Sequence, residues 1–138
     1  MNIAEKQSAL VEEFAFFDEW MDKYAHIIEL GKSLPLLPEE DKEDSLLVNG
    51  CQSRVWLKAN AEDGKVYFQA DSDAIIAKGI IAMLIDVFNG QPAEEIVASN
   101  VDFLDEIGLK AHLSPTRANG LVSMVKQLKF YALALQSK

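Results

Sequence analysis

Thiols are almost missing from this chain: of 138 residues, one is a cysteine, at position 51. A single cysteine cannot close an internal disulfide, which fits a reducing compartment, and it leaves no second thiol to resolve an oxidised first one. Basic residues are also scarce. Thirteen Lys plus Arg stand against twenty-two Asp plus Glu, a net charge of −9. That balance argues against nucleic acid, where affinity rests on cationic contacts to phosphate, and against an anionic membrane surface. Long hydrophobic runs are lacking: the most apolar stretch, residues 74–88, is too short to span a bilayer and carries Lys78 and Asp86. No basic start followed by an apolar stretch opens the chain, which has Glu5, Glu12 and Glu13 there instead, so a cytoplasmic protein is expected. The two histidines, His26 and His112, share no close ligand spacing with each other or with Cys51. Neither a metal nor another cofactor is therefore expected.

What is present is an ordinary globular composition, 49% hydrophobic and 25% charged, in residues 1–138 at the length of one domain. Such a chain buries about two thirds of its extended surface and needs no covalent staple. Leu10, Phe14, Phe17, Met21, Tyr24 and Ile28 recur at steps of three and four, which predicts helix over the first thirty residues, interrupted near Asp18 as a cap and stopped at Gly31. Pro35 and Pro38 and the acidic residues 39–44 predict a solvated loop. Three short strands are then expected, at 46–48, 53–59 and 66–68, with turns at Asn49-Gly50 and Glu62-Asp-Gly64. Helices follow: one capped by Asp71 or Ser72 and ended by Asn89-Gly90, one with Pro92 in its first turn, one capped by Asp102 and ended by Gly108. The last starts at Ser114-Pro115 and buries Leu121, Val125, Leu128 and Ala132. The expected fold class is α+β, a small antiparallel sheet flanked by N- and C-terminal helices.

Cys51 is the residue on which chemistry turns. It follows Gly50 on a turn between apolar runs, where a thiol can be presented to a partner. On composition alone a lone cysteine is more often a small buried hydrophobe than a nucleophile, and it is the turn position that favours chemistry. Nucleophilic work needs thiolate, and Arg54 is near enough in sequence to favour it. A cysteine hydrolase would pair Cys51 with His112 and with Asn119 or an Asp, but papain-type nucleophiles open a helix and the residues after Cys51 alternate like a strand. The other alternative is a non-catalytic interaction module with Cys51 inert.

The segment Val48-Asn-Gly-Cys51-Gln-Ser-Arg-Val-Trp56-Leu resembles the signature of the SufE/CsdE family of sulfur-acceptor proteins. Ile27-Ile-Glu-Leu-Gly-Lys-Ser-Leu-Pro35, Asp71-Ser-Asp-Ala74 with Lys78-Gly79, and Leu113-Ser-Pro-Thr-Arg117-Ala-Asn-Gly120-Leu agree with it in order, over nearly the whole chain. The resemblance implies the fold shared with IscU-type scaffolds. It implies that Cys51 takes sulfane sulfur as a persulfide from a pyridoxal-phosphate cysteine desulfurase of the SufS or CsdA type and stimulates that enzyme. The sulfur would then pass to iron–sulfur assembly, on a scaffold such as the SufBCD complex. A cysteine shielded until the partner docks is compatible with that role. One cysteine suits a carrier, since a scaffold needs several. Gly50, Gln52 and Ser53 would support the loop, Asp73 would orient the loop or the partner, and Arg117 would dock the desulfurase or steady an anionic persulfide. Each has a plain structural reading beside it: turn stabilisation for Gln52 and Ser53, helix capping for Asp73, an exposed or carboxylate-paired cation for Arg117. Trp56 is expected in the core, and His26 and His112 in structural or surface positions.

Overall fold

Asn2 opens helix α1 (Ile3–Phe14): its side chain accepts from the Glu5 N–H at 2.8 Å while the Glu5 carboxylate accepts from the Asn2 N–H at 3.0 Å. The computed structural model describes residues 1–136, with the side chain of Lys110 left out. The helix buries Ile3, Leu10 and Phe14. The chain then breaks and re-forms as α2 (Trp20–Leu30), but Asp18 is not the cap; Glu19 stands there without a side-chain hydrogen bond. Gly31 also departs from expectation. Its φ of −59° is ordinary helical backbone and it starts a 3-10 turn, Gly31–Ser33. Its lack of a side chain matters for packing: a Cβ there would come within 3.2 Å of the Gly79 backbone, and one on Gly79 would overlap the Ile27 carbonyl. Glycines on both sides let α2 meet the next long helix backbone to backbone.

The proline loop lies along an edge of the sheet, with Leu37 N–H donating to Ala70 O and Ala70 N–H to Pro35 O, each at 3.1 Å. Strands β1 (Val55–Glu62) and β2 (Lys65–Ser72) form the expected hairpin. Asp63 and Gly64 at its turn both have positive φ, 54° and 80°, the twist that a two-residue hairpin loop requires. Val55, Leu57, Val66, Phe68 and Ala70 face the core. Trp56 does not: it is half-buried on the opposite face beneath the Lys42 ammonium, 5.2 Å from its ring centre.

The expected strand at 46–48 shrinks to a single bridge, Leu47 to Trp56, preceded by a 3-10 turn at Asp44–Leu46. The third strand is instead β3 (Gln91–Pro92), antiparallel to β2 at Lys65 and Val66. An edge position tolerates proline because no N–H is needed on its outer side. Pro92 thus caps α4 (Ala93–Ala98) from within a strand.

Helix α3 (Ile75–Phe88) is buried along most of its length. Asp71 and Ser72 belong to β2, so Ala74 is the N-cap, with its N–H on Ser72 Oγ at 3.2 Å. Then come α5 (Phe103–Ile107), preceded by Asp102 without a capping side chain, left-handed Gly108, and α6 (Leu109–His112). Ser114 caps α7 (Pro115–Leu135) as expected. That helix buries Gly120, Leu121, Met124, Leu128 and Ala132, leaving Val125 half-exposed. One face of the sheet packs on α3 and α7, and α2 packs on α3. No helix among the described residues is long and apolar enough to cross a membrane.

Candidate functional site

The bridge at Leu47 and the bond from Val48 N–H to Val55 O, 2.8 Å, form a stem, and Cys51 stands on the loop it closes. Gly50 makes the turn with φ +93°, a conformation that side chains disfavour. A Cβ at Gly50 would also collide with the Ser123 hydroxyl on α7. The loop therefore lies directly on that helix. Cys51 Sγ is 3.6 Å from the Gly120 carbonyl, to which the thiol donates. Burial pushes the Cys51 thiol up from its ordinary value. The carbonyl acceptor favours the protonated form as well.

The second foot of the loop is held by side chains. Asp73 Oδ1 accepts from Arg54 N–H at 3.0 Å, and Asp73 N–H donates to Arg54 O at 3.2 Å. Ser72 Oγ donates to the same carbonyl at 2.8 Å. Asp73 does not cap α3; it ties the link between β2 and α3 to the residue that ends the cysteine loop. Gln52 and Ser53 line the cleft beside Cys51, and the bonds that fix the loop come from Ser72 and Asp73.

The cleft measures about 90 Å³. Ala74, Ile76, Ala77, Ile80 and Met124 form its apolar wall, and Thr116, Arg117, Gln52 and Ser53 its polar rim. The positive charge at this rim is Arg117; Arg54, expected to serve Cys51, is not among the lining residues. Arg117 Nη1 donates to Tyr24 Oη at 3.1 Å.

Neither histidine joins this site. His26 Nε2 meets Glu13 Oε2 at 2.6 Å between the rings of Phe14 and Phe17. His112 stacks on Trp20 with ring centres 4.5 Å apart, its Nδ1 on Gly108 O at 2.8 Å. A Cys51/His112 hydrolase needs the imidazole within about 3.2 Å of the sulfur, and the structure does not bring them together. No group of three or more His, Cys, Asp or Glu among the described residues is placed to hold a metal ion.

Sequence reasoning does not reach Tyr24, Ser123 or the cleft walls. Ile76 with Ile80, and Gly120 with Met124, are four apart and read only as helix faces bound for the core. Nothing local marks them as neighbours of Cys51.

Residues 8–132 match the SufE family, described as an Fe-S metabolism associated domain. A SufE-like protein of Rhizobium meliloti (strain 1021) is 43% identical over 125 residues, 87% of this chain and 89% of that one. The sulfur acceptor protein CsdE of Escherichia coli (strain K12) is 44% identical over 110 residues, 78% of this chain and 75% of its own. A hypothetical protein from Thermus thermophilus, solved in solution, superposes with a TM-score of 0.80 over 96% of this chain and 97% of its own, at 20% identity. That last likeness concerns the fold.

Proposed function

The chain belongs to the SufE family, and from that premise we propose that it accepts sulfur as a persulfide on Cys51 and hands it on in iron–sulfur metabolism. The donor is a pyridoxal-phosphate cysteine desulfurase of the SufS or CsdA type, which the acceptor stimulates by emptying it. The recipient is a cluster scaffold of the SufBCD kind, and the setting is the cytoplasm. The whole chain acts as one such domain.

The observation that carries this reading is a lone thiol on a loop pinned at both feet, over a small cleft with an apolar wall and one cation at its rim. The transfer is a displacement at sulfur. Cys51 first gives up its proton, which releases it from the Gly120 carbonyl. The thiolate then attacks the terminal sulfur of the donor persulfide. A new S–S bond forms on Cys51, the donor's own S–S bond breaks, and the donor cysteine leaves as thiolate and takes up a proton. No electrons are gained or lost overall. The apolar wall lowers water access to the product, and the Arg117 charge favours its anionic form.

Desulfurase turnover tests this reading. With L-cysteine and a SufS-type or CsdA-type enzyme, the wild-type protein raises the rate of alanine formation, and Cys51→Ser does not. Full stimulation by Cys51→Ser would exclude transfer through this thiol.

A further inference from the structure

Arg117 sits in the first turn of α7, where the N–H groups already present positive charge. A cation there gains nothing from its own helix, and a long exposed side chain would spread over many rotamers. Nor does a carboxylate hold it, since no ion pair to Arg117 is formed among the described residues. What meets the guanidinium is Tyr24. The phenol oxygen accepts from Nη1 at 3.1 Å, and the ring centre lies 5.9 Å from the guanidinium carbon. Tyr24 is itself fixed, with its ring packed against the core from α2, one turn from fully buried Ile27.

A neutral partner has a consequence that a carboxylate would not. It sets the direction of the guanidinium without cancelling its charge, and leaves most of its N–H donors unused. The group so placed lines the same cleft as Cys51. We propose that Tyr24 is a positioning residue, which holds Arg117 at the cleft rim as the receptor for an anionic sulfur or sulfur-bearing group approaching Cys51. The proposal deepens the sulfur-acceptor reading and rests on it for the identity of that anion.

Alkylation of Cys51 by iodoacetate and by iodoacetamide tests it on the full chain. The two reagents share one mechanism and nearly one size, and differ by a negative charge. Tyr24→Phe keeps the ring and removes the acceptor. It is expected to lower the iodoacetate-to-iodoacetamide rate ratio about two- to fivefold, the range for one partly solvated charge. Arg117→Gln should lower the ratio by a similar factor, and the double variant no further. An unchanged ratio in Tyr24→Phe, or effects of the two substitutions that multiply, would overturn the proposal. So would an equal slowing with both reagents, which reports on thiol exposure and not on charge. Persulfide loading by a desulfurase should fall in step with the ratio. If the wild-type protein takes no sulfur from either desulfurase type, the acceptor reading fails, while the reagent ratio still decides the role of Tyr24.

Discussion

On the outer face of the sheet, Asp71 holds the ammonium of Lys42 at 2.8 Å and that of Lys78 at 3.4 Å, Lys42 also meets Glu39 at 2.7 Å, and Lys58 meets Asp41 at 3.5 Å. At the tip of the loop that leads into the same sheet, Cys51 has one weak polar contact among the described residues, the Gly120 carbonyl at 3.6 Å, and the nearby Arg117 has a phenol. The first region neutralises its charges among several partners, so losing one leaves the others in place. The second keeps a proton that can leave and a charge that is not cancelled. Its precision comes from backbone at Gly50 and the 47–56 bridge, and from the Asp73 and Ser72 side chains on the Arg54 backbone. Rigidity and chemical readiness are thus supplied by different groups.

The sharpest separation of the two comes from Cys51→Ser, which should lose all persulfide formation and leave the melting temperature within measurement error of wild type. A large drop in melting temperature would mean that the thiol carries structure. Next comes Gly50→Ala, which must accept a φ of +93° and a Cβ against Ser123 Oγ. A loss of about 2 kcal/mol in chemical denaturation is expected. Ser123→Gly in that background should restore only the part due to collision. Complete restoration would show that the left-handed turn costs nothing.

A smaller effect should appear in the pH profile of iodoacetamide alkylation, whose midpoint should lie above that of an unburied thiol because burial raises the Cys51 pKa. A midpoint below it would mean that Arg117 outweighs burial in the free protein. The smallest effect belongs to the ion-pair face. Burial pushes the Asp71 carboxyl up, but hydrogen bonds from Lys42 and from the Ser72 N–H, with the charges of Lys78 and Lys42, outweigh that and hold it below its ordinary value of 3.8. Its contribution is therefore present above that value and is lost as pH falls through the lower folded one. Asp71→Asn should remove that acid-side loss and cost about 1 kcal/mol or less at neutral pH, since Lys42 keeps its pair with Glu39. A cost several times larger, measured by urea unfolding, would contradict the picture of shared partners.

What can be read from the chain follows how local each signal is. Asp63-Gly64 and Ser114-Pro115 carry their geometry in adjacent residues, and both the hairpin turn and the α7 start stand where expected. The 46–48 run fails for the same reason: three apolar residues look like a strand, yet its pairing stops at the Leu47–Trp56 bridge and the Val48 N–H bond to Val55 O, and the third strand is Gln91–Pro92 on the opposite edge of the sheet. Trp56 alternates with Leu57 along the strand, and that alternation is a better guide to its face than its size. Within the site, Cys51 and Gly50 are visible because turn and thiol adjoin. Asp73 reads locally as a helix cap, and its bond to Arg54 spans nineteen positions. The Tyr24–Arg117 contact spans ninety-three, and no spacing rule reaches across it.

The most direct test of sulfur acceptance is intact-mass measurement after incubation with a cysteine desulfurase and L-cysteine. The account predicts a gain of about 32 Da per sulfur, removed by reductant and absent in Cys51→Ser. No gain with an active enzyme of either the SufS or the CsdA type, or an undiminished gain in Cys51→Ser, would contradict it.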